Sequence, residues 1–130
     1  MVDFGTATTF DVVNGQGDYI GGIIAPGVNL SLDALQRAAA KLPTVAIQKP
    51  SKVVGTNTVG AMQSGIYYGY SGMVDGIAGR IKAEHNEDMV VIATGGLASL
   101  FAKACPVIEH LEPDLTILGL KELYYMNVKK

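Results

Sequence analysis

A chain of 130 residues with 48% hydrophobic residues has the length of one domain and enough apolar mass to bury its own core. Its formal charge of −2, with 17% charged residues and no basic run beyond Lys129-Lys130, argues against a nucleic-acid partner. No apolar run approaches the roughly 20 residues that cross a bilayer, and a single cysteine, Cys105, offers no internal disulfide. The first residues show no signal-peptide pattern, so cytoplasmic residence without membrane contact is the expectation.

Residues 2–13 read as two short strands around Gly5-Thr6, rich in Val, Thr and Phe. Asn14-Gly15 signals a hairpin, because both residues tolerate the positive φ of tight turns. A third strand, 19–24, ends at Ala25-Pro26-Gly27, which makes a three-stranded antiparallel meander. Val28, Leu32, Leu35, Ala39 and Leu42 then recur at helical spacing, with Pro43 as the stop. After a connection broken by Pro50 and Gly55, Thr56 or Asn57 can cap a second helix reaching about Glu84. Its expected apolar face is Val59, Met62, Ile66, Tyr70, Met73, Ile77 and Ile81.

That helix carries a second stripe, Gly65, Gly69, Gly72, Gly76 and Gly79. Each interior helical glycine costs about 0.8–1.0 kcal/mol relative to alanine, so five cost roughly 4–5 kcal/mol. Another backbone approaching closely, within the fold or across a dimer interface, would offset this; a kink or break is the alternative. Residues 89–93 read as a buried strand that meets Thr94-Gly95-Gly96, followed by a short helix ended by Pro106. Val107 and Ile108 are read as an edge strand. A last amphipathic helix spans 115–128, with Leu120, Leu123, Tyr124 and Val128 inward. The order predicts a mixed α/β sheet with helices packed on its faces.

Two segments could carry chemistry. In Asp3-Phe4-Gly5-Thr6-Ala7-Thr8, Gly5 lets a ligand reach the backbone and the Thr6 hydroxyl can donate to a phosphate oxygen. Asp3 would act there through a cation or a water, since it repels phosphate directly. In Ala93-Thr94-Gly95-Gly96-Leu97-Ala98, two glycines between a strand and a helix start leave bare backbone beside a helix N-terminus. The first segment can equally be an ordinary turn, the second reads more simply as a plain strand-to-helix turn, and neither matches a Walker loop or a dinucleotide fingerprint. Thr56-Asn57-Thr58 is a cap, or else a set of donors for a polar or carboxylate substrate. His85 and His110 are isolated surface residues, Cys105 is packing rather than nucleophile, and the sequon Asn29-Leu30-Ser31 stands alone.

In order and spacing these segments resemble the C-terminal half of a type III pantothenate kinase, a member of the acetate and sugar kinase, Hsc70 and actin superfamily. The resemblance also runs through Gly21-Gly22-Ile23-Ile24-Ala25-Pro26-Gly27, Gly55-Thr56-Asn57-Thr58 with Met62-Gln63-Ser64-Gly65, and Leu115-Thr116 with Gly119-Leu120. It implies a ribonuclease H-like, actin-like ATPase domain over 1–130, with the N-terminal domain of the two-domain kinase absent from the chain. The implied activity is ATP-dependent phosphorylation of pantothenate to 4′-phosphopantothenate, which opens coenzyme A biosynthesis. The resemblance further implies that Gly5, Thr6, Gly95 and Gly96 bind ATP and that Asp3 holds an activating monovalent cation, potassium or ammonium, beside magnesium. Thr58 would touch pantothenate in a site shared between the subunits of a homodimer. The Asp-x-Gly-Asn and Gly-x-Asp-Arg strings of such kinases, the latter with the catalytic base, do not occur; no catalytic residue is therefore assigned, and the fragment alone is expected to be inactive. Two other readings stand beside this one. One is a Bvg accessory factor-like regulatory or binding protein, and the other a kinase of a different hydroxyl substrate such as a sugar.

Overall fold

The computed structural model describes residues 1–39 and 41–128; Ala40 and the Lys129-Lys130 pair lie outside the described residues. Strands β1 (Val2–Phe4), β2 (Ala7–Val13) and β3 (Tyr19–Pro26) form the expected meander, followed by α1 (Val28–Ala38) and α2 (Thr58–His85). Then come β4 (Ile92–Thr94), α3 (Ala98–Ala102), β5 (His110–Leu111) and α4 (Leu115–Val128). The sheet order is β3-β2-β1-β4-β5. β2 pairs antiparallel with both neighbours, whereas β4 joins β1 in parallel and β5 joins β4 in parallel. The C-terminal ends of β1, β4 and β5 therefore share one end of the sheet.

The alternation of β1 and β2 explains what the sheet buries. Val2, Phe4, Thr8 and Phe10 point to one face and are at most 2% exposed. α2 lies in the same core through Met62, Ile66, Tyr67, Tyr70, Val74 and Ala78. Phe101 from α3 stacks on Phe4 at 5.1 Å and on Tyr67 at 5.6 Å between ring centroids. The Tyr70 hydroxyl donates to the Pro26 carbonyl at 2.8 Å, tying the end of β3 to α2. At the start of α2 the Asn57 side chain accepts from the Gly60 amide at 2.8 Å, and left-handed Asn86 closes the other end.

Four expectations change. α1 ends at Ala38, a turn before Pro43, because the proline disfavours helical backbone at Leu42, whose amide instead closes a turn onto Ala39. The edge strand lies at His110–Leu111 rather than at Val107 and Ile108, since Ile108 bonds back to Cys105 and the Val91 carbonyl captures the Glu109 and His110 amides. The five stripe glycines of α2 meet nothing beyond the helix's own backbone within 4 Å of the position a Cβ would take, so no other backbone within the described fold offsets their cost. The helix nonetheless runs unbroken for 28 residues. Finally, α4 buries no residue: Leu120, Leu123, Tyr124 and Val128 are 56–62% exposed instead of inward. Apolar residues occupy every side of α4, so its sequence does not define a single face.

Candidate functional site

Parallel pairing of β1 with β4 sets Asp3 opposite Thr94. The chain must then turn beside β1, and Gly95 does so with φ +96°. A Cβ on Gly95 would collide with the Asp3 carboxylate and lie 2.7 Å from the Phe4 amide nitrogen, so only glycine fits. Gly5 also borders that carboxylate: its Cβ would stand 3.3 Å from Asp3 Oδ1. The two segments singled out in the sequence thus converge at one end of the sheet around a half-buried Asp3.

Beyond the carboxylate lies a cleft of about 520 Å³, lined by Gly5, Thr6, Asn29, Leu30, Asp33 and Gly96 among others. Gly5, Thr6 and Gly96 are exposed to it, and no atom lies near the position of a Gly96 Cβ. Gly27 packs against the carbonyls of Gly5 and Thr6, which brings the first turn of α1 to the cleft. That turn has no side-chain cap, so its leading amides are free to donate to an anion. Asn29, Leu30 and Asp33 are the lining residues that sequence reasoning missed. The signal was available in a helix that starts directly after the Ala25-Pro26-Gly27 strand end, on the same sheet end as Gly5.

The donors fit a phosphate chain: exposed backbone at two glycines, the Thr6 hydroxyl and a helix N-terminus. Asp3 sets one carboxylate beside Gly5 and Gly95 but is not among the residues that line the cleft. Among the described residues no three His, Cys, Asp or Glu side chains gather to hold a metal. A divalent ion here would depend on the oxygens of a bound phosphate chain. Thr8, by contrast, is fully buried, and its hydroxyl has no hydrogen-bond partner among the described residues.

Thr58 does not join this cleft. It lines a separate apolar hollow of about 410 Å³ with Leu35, Leu42, Ala61, Met62, Gly65 and Ile66. Thr56 and Asn57 open onto a third, more polar hollow with Lys49, Lys52 and Gln63. A further hollow sits at the opposite end of the sheet, lined by Val2, Phe10, Val12, Ile81, Met89 and Val91 but by none of Asp3, Gly5, Thr6, Thr58, Gly95 and Gly96. Cys105 is 1% exposed, and burial, followed by the charge of Asp75, pushes its thiol up to about 11. It is packing and not a nucleophile. His85 and His110 are exposed, and no described helix is long and apolar enough to cross a membrane.

The family model described as type III pantothenate kinase matches residues 1–80. The type III pantothenate kinase of Phenylobacterium zucineum is 57% identical over all 130 residues, which make up 51% of its own length. That of Roseobacter denitrificans is 60% identical over 98% of the chain and 49% of its length. The chain spans about half the length of the curated relatives it matches, the C-terminal half. A solved structure from Campylobacter jejuni, named for the Baf family of transcriptional activators, overlays 99% of the chain and 58% of its own with a TM-score of 0.68. At 19% identity that overlay speaks for the fold alone. The family match over residues 1–80 and the identity of these relatives place the chain in the type III pantothenate kinase family.

Proposed function

We propose that the chain forms the second half of an ATP:pantothenate 4′-phosphotransferase, which catalyses the first step of coenzyme A biosynthesis in the cytoplasm. The observation that carries this reading is the seating of Gly95 against Asp3 and Phe4, which joins the two glycine turns into one wall. The strand order, with β2 alone running against the others, supports a ribonuclease H-like, actin-like ATPase fold.

On this wall Thr6 donates its hydroxyl to a phosphate oxygen, while Gly5 and Gly96 keep side chains out of the path of ATP. The first-turn amides of α1 add donors whose dipole favours the same anion. Asp3 would hold the monovalent cation, and bound cations would supply charge compensation at the phosphates. Thr58, outside the cleft in a single chain, fits a role in the site of a neighbouring subunit. The outward glycine stripe of α2 supports a homodimer, because a second backbone could approach there. The base that takes the pantothenate hydroxyl proton belongs to the complementary half.

The test joins the chain at Met1 to the first half of the Phenylobacterium zucineum relative and follows ATP consumption with and without pantothenate. Pantothenate-dependent turnover that falls at least tenfold in Asp3→Asn is the expected result. Turnover driven by a sugar and indifferent to pantothenate would reassign the substrate.

A further inference from the structure

Tyr70 is buried in the core, yet its phenolic oxygen faces three other oxygens at the junction of β3 and α1. It lies 2.8 Å from the Pro26 carbonyl, 3.0 Å from the Gly27 carbonyl and 2.6 Å from Ser31 Oγ. A phenol carries one proton. Both carbonyls can only accept, so that proton is shared between them, and the Ser31 hydroxyl donates to the Tyr70 oxygen. The Gly27 carbonyl also takes the Ser31 amide at 3.0 Å, the first backbone bond of α1. Every polar partner of this phenol therefore belongs to the strand-to-helix junction.

That junction forms one side of the cleft. Gly27 packs so closely on the Gly5-Thr6 turn that a Cβ would collide with the Thr6 carbonyl. Asn29, Leu30 and Asp33, in the turns that follow, line the cleft together with Thr6. A helix start is commonly fixed by a cap side chain that occupies the leading amides, and Gly27 has none to offer. Tyr70 instead grips the junction by its carbonyls, from the core side, and leaves the amide side open. Two other polar side chains of α2 hold the connection before that helix: Gln63 donates to the Ala46 carbonyl and Ser64 to that of Val53. Neither reaches the cleft. A phenylalanine would fill the same space beside Phe101, so packing alone does not call for the hydroxyl.

We propose that Tyr70 is a positioning residue for phosphate binding: its hydroxyl seats Gly27 against Thr6 and so fixes the gap between the Thr6 hydroxyl and the first turn of α1, where a phosphate group is held. It touches no ligand itself. The role rests on the nucleotide reading of the cleft. The test titrates the chain, Tyr70→Phe and Ser31→Ala with ATP and magnesium and with adenosine, beside a denaturant melt of each. Tyr70→Phe should weaken ATP binding by about fivefold or more and leave adenosine within about twofold, because only the phosphate end of the cleft loses its support. Ser31→Ala removes the hydroxyl that bonds the phenol but keeps both carbonyl bonds. It should weaken ATP by about two- to threefold, and it carries the test should Tyr70→Phe not fold. A folded Tyr70→Phe that melts earlier yet binds ATP as the unaltered chain does makes the hydroxyl merely structural and overturns the proposal. Equal losses for ATP and adenosine overturn it as well. An unaltered chain that binds no ATP removes the nucleotide reading and the proposal together, whereas intact ATP binding in both variants removes only the role of Tyr70.

Discussion

α2 and α4 are both long, glycine-containing, apolar helices, yet one is the centre of the core and the other touches almost nothing. α2 turns Met62, Ile66, Tyr67, Tyr70, Val74 and Ala78 to the sheet and its glycines outward. α4 has no such division, and its large apolar side chains from Ile117 onward stand in solvent. The difference teaches that the core of this half is complete without α4. What remains exposed, the glycine face of α2 and the whole of α4, is surface suited to assembly rather than to folding.

The largest effect that could break this contrast is truncation on the two sides of it. Phe101→Ala removes a fully buried ring stacked on Phe4 and Tyr67 and should cost about 3–5 kcal/mol in a denaturant melt. Leu120→Ala on α4 should change the same melt by less than about 0.5 kcal/mol. Equal losses would mean that α4 packs on the core after all.

Cys105 offers a pH readout confined to the core side. Its thiol loses a proton at about 11 when folded, against 9.0 as the ordinary value, so above pH 9 the unfolded chain gives up the proton first. Stability contributed by the neutral thiol is full below pH 9 and falls as pH rises toward 11, by about 1.4 kcal/mol per pH unit. Relative to Cys105→Ala, the chain should therefore lose stability more steeply through that window. Parallel slopes would show that the thiol is not held in the core as the fold places it.

Gly95→Ala probes the convergence of the two turns. The residue sits at φ +96° against Asp3 and Phe4, so the substitution should cost about 1–3 kcal/mol and weaken ATP binding. Smallest is Gly72→Ala on the open stripe, expected to raise the stability of the chain by about 0.5–1 kcal/mol because nothing stands near the new methyl. The same change should weaken self-association measured by sedimentation if a second backbone docks there. A destabilised monomer would instead place a hidden contact on the stripe.

Local signals were legible in the sequence where short-range chemistry decides the outcome. Asn57 as cap, the Asn14 turn and the run of the meander all follow from propensity and spacing; Asn14 Oδ1 accepts from the Gln16 and Asp18 amides as such a turn requires. The meeting of Gly95 with Asp3 depends on parallel pairing between β1 and β4, elements far apart in the chain, and spacing alone left both turns open to an ordinary reading. The inward face of α4 was misread for a different reason. Apolar residues suggest that a helix will be covered, not by what, and among the described residues none buries α4.

The most direct measurement of the central claim is an amide NMR titration of the chain with ATP and magnesium. The account predicts shifts at Gly5, Thr6, Asn29, Leu30 and Gly96, around Asp3, and none at Val59 through Gly65 on the early turns of α2. Shifts centred on the start of α2, or none anywhere at saturating ATP, would contradict a nucleotide wall built from the β1 and β4 turns.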